Sequence, residues 1–130
     1  MRLTRIIAAG LLVLPAFTPA HAAPAVDVAL SSAMVSERID GTLLSGETRT
    51  YRFVVTNPGQ ITFSVAGENL HCGTDLSKAS QRGVLTTWRR FPASFTDNAR
   101  AGETYTMSFF QSREAWINKT GCTFSFSISP

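Results

Sequence analysis

Ionisable chemistry is scarce in this chain. Asp, Glu, Lys and Arg make up 16% of 130 residues, and there are two histidines and two cysteines. Apart from the adjacent Arg89 and Arg90, cations are scattered, so the concentrated basic face of a nucleic-acid-binding protein is absent. His71 is the only imidazole outside the first 22 residues, and no Gly-x-Ser-x-Gly elbow occurs. A hydrolytic triad therefore has one candidate base and no recognisable nucleophile. The acids Asp40, Glu47, Glu68, Asp75, Asp97, Glu103 and Glu114 are spread along the chain, mostly beside turns, with no pair at a glycosidase motif. These absences argue against an enzyme. Outside the first 22 residues, Cys72, Cys122 and His71 make three ligands, one short of the four of a structural zinc site, and no other metal or cofactor is expected. Glu68 and Asp75 are the only loop acids that suggest calcium, and two are too few for a defined site. Internal repeats, low-complexity linkers and helical apolar stripes are also missing beyond the first residues.

Long apolar runs are limited to the N-terminus. Arg2 and Arg5 precede an apolar stretch from Ile6 to Phe17, followed by Ala20-His21-Ala22. This is the charged, apolar, small-residue order of a secretory signal. About a dozen apolar residues are too few to span a bilayer, which takes roughly 20. Residues 1–22 are read as a signal peptide, giving a periplasmic or secreted mature chain without a transmembrane segment. The leader takes two of the 12 Lys and Arg, leaving ten basic against nine acidic groups, a net charge of +1.

In an oxidising compartment, Cys72 and Cys122 are most simply a disulfide. Closing a loop of about 51 residues stabilises by about 4 kcal/mol in the chain-entropy model, less any native strain. Cys122 falls on the inward row of a strand, and the bridge is expected to tie that strand to the loop after Gly67.

What is present is alternation. Residues 23–35 are small and weakly patterned, an N-terminal arm. From 36 to 130 the chain reads as one domain. Thr48–Thr56 puts Tyr51, Phe53 and Val55 on one face; Gln60–Ala66 does the same with Ile61, Phe63 and Val65. The Asn57-Pro58-Gly59 turn between them suggests an antiparallel hairpin. Thr104–Gln111 alternates Tyr105, Met107 and Phe109 with Thr106, Ser108 and Phe110. Cys122–Ser129 sets Cys122, Phe124, Phe126 and Ile128 against Thr123, Ser125 and Ser127, a strand with one buried and one wet face. Arg38–Leu44, Val84–Trp88 and Ala93–Phe95 are further strands, and Ser112–Ile117 has room for one helical turn. Six or seven short strands predict an all-β fold: a small antiparallel β-sandwich, jelly-roll-like, with one disulfide.

Gly41-Thr-Leu-Leu-Ser-Gly-Glu-Thr-Arg-Thr-Tyr-Arg-Phe53 resembles the opening of bacterial pre-peptidase C-terminal domains: a Gly strand, a Gly turn and a Tyr-x-Phe strand. Pro58–Phe63 and Ala101–Thr106 resemble later strands of that family. The resemblance covers roughly residues 38–128. Two features depart from it. The family's acidic lead into a mid-domain strand is reduced to Gly73-Thr74-Asp75-Leu76, and the disulfide is not a general family feature. The resemblance implies a sandwich fold and an accessory binding role.

The binding candidates are Trp88, Arg89, Arg90 and Trp116. In Trp88-Arg89-Arg90-Phe91, two cations between aromatics could grip an acidic partner, a glycan or an anionic surface. The same stretch also reads as a strand with Trp88 buried and both arginines solvated. Trp116, in a loop, either caps one end of the sandwich or anchors a partner. Asn118-Lys119-Thr120 is read as a plain turn rather than a glycosylation site. The sequence thus describes an exported, non-catalytic module for an unidentified protein or glycan, or a periplasmic inhibitor or immunity protein that blocks a hydrolase or toxin. Mass spectrometry of the exported protein is expected to find Ala23 as the first residue; an intact Met1 in the functional pool would refute the leader.

Overall fold

The computed structural model describes residues 26–28, 38–44, 46–67 and 71–130. The leader expected at 1–22, and the expected arm apart from Val26–Val28, lie outside the described residues. Among the described residues, nine strands and one short helix follow in chain order: β1 (Val26–Val28), β2 (Arg38–Leu43), β3 (Thr48–Val54), β4 (Gly59–Gly67), β5 (Cys72–Lys78), β6 (Val84–Trp88), β7 (Ala93–Ala99), β8 (Thr104–Gln111), α1 (Arg113–Ile117) and β9 (Cys122–Ser129). They build two sheets, ordered β1-β3-β8-β5-β6 and β2-β9-β4-β7. All pairings are antiparallel except that of β1 with β3. The chain is an all-β, jelly-roll-like sandwich.

The period-2 rows become the two inner faces. Tyr51, Phe53, Leu76, Tyr105, Met107 and Phe109 of one sheet meet Ile61, Phe63, Val65, Phe124, Phe126 and Ile128 of the other, all buried. Most serines and threonines of the same strands face outward, since successive side chains point to opposite faces; Thr74 of β5, fully buried, is an exception. Aromatic rings join the layers. Phe109 stacks on Phe124 with centroids 3.9 Å apart, and Phe63 lies 5.0 Å from Tyr105 and 5.5 Å from Phe53.

The expected hairpin around Asn57-Pro58-Gly59 does not form. β3 and β4 belong to different sheets, each paired with other strands. The link from Val55 to Pro58 crosses the roughly 10 Å between sheets, a span that four extended residues cover. Its entry is pinned to the β7–β8 turn: Val55 N–H donates to the Glu103 carbonyl at 2.9 Å, and Gly102 N–H donates to the Val55 carbonyl at 2.8 Å. Among the described elements only β5 and β6 pair as sequence neighbours; every other step changes sheet.

Three local expectations also change. Cys72 does not sit in a loop but opens β5, a strand whose Gly, Asp and Lys content hides its propensity. β7 runs past Phe95 to Ala99, because Thr96–Ala99 continue the ladder with β4. Within the arm, Val26–Val28 adds a parallel strand, with Asp27 2.7 Å from Arg52.

The sheets are tied at both ends. Cys72 and Cys122 form the disulfide, Cα atoms 5.5 Å apart, joining β5 to β9. At the far end Asp97 of β7 accepts hydrogen bonds from Lys78 of β5 at 2.9 Å and from Tyr105 of β8 at 2.8 Å. Partial burial alone would raise the Asp97 carboxyl, but these two hydrogen bonds and the Lys78 charge outweigh it and hold it below the usual carboxylate range. Burial and the Asp97 charge push the Tyr105 phenol up.

Two outcomes are expected. Replacing Cys72 and Cys122 with Ser should lower the melting temperature on the order of 10–20 °C while leaving the sheet signature in circular dichroism. An unchanged melting temperature would show that the bridge contributes nothing. Because the folded-state pKa of Asp97 is depressed, its contribution is present above the unfolded value and lost as pH falls through the folded one. Denaturant titrations from pH 6 to about pH 2 should show a loss of stability below about pH 4 that is smaller in Asp97→Asn. Equal acid sensitivity in both proteins would remove the carboxylate from this role.

Candidate functional site

Register decides which loops share an end. Thr48 of β3 lies opposite Phe110, Gly73 of β5 opposite Phe110 from the other side, and Thr74 opposite Trp88. In the second sheet Leu43 lies opposite Cys122, Gly67 opposite Phe124 and Val65 opposite Ala93. The β2–β3 turn, the β6–β7 link, α1 with its flanks, and His71 therefore converge at the disulfide end. All four candidate residues are there.

They do not form one patch. Trp88 closes β6 on the inward side, half-buried and packed against the core. Arg89 and Arg90 are exposed in the link that follows, and neither makes an ion pair among the described residues. Phe91 turns back inward, buried, with its ring 6.4 Å from Phe109. It lies so close to Gly67 that a Cβ there would fall 2.9 Å from Cδ2 of the ring. The stretch thus splits: its aromatics anchor the link in the core, and its cations project from it.

Trp116 stands at the other corner. Three strand steps separate β3 from β6, about 14 Å at the usual spacing. The helix that carries Trp116 is built locally: Ser112 is its N-cap, with Oγ accepting from Ala115 N–H at 3.2 Å, and Asn118 N–H closes onto the Glu114 carbonyl at 2.9 Å. Lys119 then takes a left-handed φ of 54°, which makes Asn118–Thr120 a turn. Ala115 is buried beneath the helix, while Trp116 is 59% and Ile117 63% exposed. The pyrrole edge of Trp116 rests on Gly46, where a Cβ would lie 2.8 Å from Nε1 and φ is +74°, so both space and backbone favour glycine. Gln111 holds the two parts together. Its Nε2 donates to the Thr120 carbonyl at 2.8 Å, and its Oε1 accepts from Gly46 N–H.

Between Trp116 and the β2–β3 turn lies an open groove of about 530 Å³, lined by Gly46, Glu47, Thr48, Phe110, Gln111 and Arg113 besides the indole. The sequence marked Trp116 but not these neighbours, which come from two segments, 46–48 and the stretch 110–113 just before the indole. A second groove, about 690 Å³, runs over the outer face of the β2-β9-β4-β7 sheet, among Ser64, Ser94, Ser125 and Ser127 with Arg38 at its rim. No group of three or more His, Cys, Asp or Glu gathers among the described residues. Glu68 lies outside them, and Asp75 accepts a hydrogen bond from Thr87 at 2.6 Å. No helix among the described residues is long and apolar enough to cross a membrane.

No family model matches the chain, and no curated protein does. Solved structures do. The periplasmic inhibitor of g-type lysozyme PliG from Aeromonas hydrophila superposes with a TM-score of 0.64 at 15% identity, over 81% of this chain and 94% of that one. The pre-peptidase C-terminal domain of Bacillus anthracis collagenase gives 0.62 at 20% identity, over 82% and 95%. Salmonella Typhimurium PliG gives 0.57 at 19% identity, over 82% and 97%. At these identities the likeness is one of fold: the chain shares a sandwich architecture with the pre-peptidase C-terminal domain and with the lysozyme inhibitors.

Proposed function

We propose that this chain is an exported, non-catalytic binding domain of the periplasm or extracellular space, and that it meets a protein partner through the disulfide end. The observation that carries this is the β6–β7 link. Arg89 and Arg90 stand exposed and unpaired among the described residues, yet the aromatics on either side are packed into the core beside the disulfide. Cations on an anchored link lose little conformational freedom on binding, which favours contact with an acidic surface.

The specific form favoured by the structural neighbours is an inhibitor of a cell-wall hydrolase, since PliG structures from two organisms share this fold. A rigid sandwich end that offers two cations suits a cleft whose chemistry depends on carboxylates.

The test uses mature protein and its Arg89→Ala/Arg90→Ala variant. Wild type, immobilised, should retain a defined protein from envelope extract and should slow bacterial-wall lysis by a g-type lysozyme. The variant should fold and melt like wild type, because exposed charges contribute little to stability. It should lose about tenfold or more in affinity, with the difference widest at low salt. Retention that is equal for both proteins across salt concentrations would remove the arginine pair. Retention without any effect on lysozyme would leave a binding domain that is not an inhibitor of that enzyme.

A further inference from the structure

The groove beside Trp116 is not used by the arginine link, and its composition is specific. One wall is an indole whose pyrrole edge lies against Gly46, in a side chain that is more than half exposed. Glu47, Thr48 and Arg113, all exposed, line the same groove, and the Glu47 carboxylate also accepts from Leu44 N–H at 3.4 Å. Phe110 adds a partly buried apolar base. Gln111 is committed to the wall itself through Thr120 and Gly46, so it fixes the shape of the groove.

We infer that this groove binds a pyranose ring of a neutral glycan. A pyranose has one apolar C–H face and a rim of hydroxyl groups. The apolar face matches a fixed, exposed aromatic wall, and the rim needs both acceptors and donors at its edge. Glu47 supplies acceptors, Arg113 donors, and Thr48 either. The volume lies within the range of small-molecule sites. Charge selects against an anionic ligand: Glu47 balances Arg113, and Glu114 follows at the next position of the helix. The apolar side chains nearby, Leu44, Trp116 and Ile117, are too few for a standard protein interface of roughly 800 Å² a side. This site is independent of the arginine link, so either can fail without the other.

The experiment titrates mature protein with two probes, the tetramer of β-1,4-linked N-acetylglucosamine and maltotetraose, which separate N-acetylated from plain hexose. With Trp88→Phe, Trp116 is the only indole left, and its emission should shift to the blue and become less quenchable by acrylamide in a saturable way. In wild type, the amide resonances of Gly46 and Thr48 should shift with the same dependence, which gives the answer should Trp88→Phe not fold. Trp116→Ala should weaken binding about tenfold or more, and Trp116→Phe less, as expected for a stacking contact. The Arg89→Ala/Arg90→Ala variant should bind sugar like wild type. The inference is overturned by no saturable change with either oligosaccharide at millimolar concentration, by affinity unaltered in Trp116→Ala, or by a blue shift that anionic phospholipid vesicles produce and sugars do not.

Discussion

The stack of Phe109 on Phe124 is the contact on which the molecule turns. The two rings come from different sheets and lie nearly parallel, 8° apart, with Tyr51, Phe91 and Phe126 around them. Each such pair contributes roughly 0.5–1.5 kcal/mol beyond its buried area. Its larger effect is topological. With one exception every successive strand lies in the opposite sheet, so few strands are held by a neighbour in sequence, and the layers are held by what packs between them. A chain with such crossings must bring distant segments together before any contact rewards it.

The two sheets are then locked at opposite ends by different chemistry. The disulfide closes one end covalently. At the other, Asp97 with Lys78 and Tyr105 sets a mostly buried ion pair and a phenol between β7 and the facing sheet. The covalent lock lies beside the loops with the exposed arginines and indole; the ionic lock lies beside short polar turns. A surface that binds without catalysing needs side chains held in place ahead of contact, and the disulfide end supplies that through Phe91 under the arginines and Gln111 under α1. The proposed protein and sugar sites are two corners of this one rigid end.

Strand positions were legible because burial on one face writes a period of two into the sequence. Tyr51, Phe53 and Val55, or Cys122, Phe124, Phe126 and Ile128, could be assigned inward without any structure, and the disulfide followed from compartment. Strand partners were not legible. Asn57-Pro58-Gly59 specifies a change of direction, and the same residues serve a hairpin or a crossing between layers; the choice is made by Val55 bonding to Gly102 and Glu103, some 45 residues further on. β5 escaped notice because its outward residues, Gly73, Asp75 and Ser77, carry no strand signal. Trp88-Arg89-Arg90-Phe91 read more readily as a strand with Trp88 buried and both arginines solvated than as a binding face, and the structure has Trp88 packed against the core with both arginines exposed. Trp116 was visible as a loop aromatic, but its groove depends on Gly46, Glu47 and Thr48 arriving from the β2–β3 turn, which no local pattern records.

The claim that the disulfide end is the contact surface is tested most directly by a hydrogen-exchange footprint. Mature protein is compared alone and bound to the protein it retains from envelope extract. The account predicts slowed exchange centred on residues 88–92, with the β5–β6 and β7–β8 turns unchanged. Protection centred on 79–83 and 100–103, with none at 88–92, would contradict it.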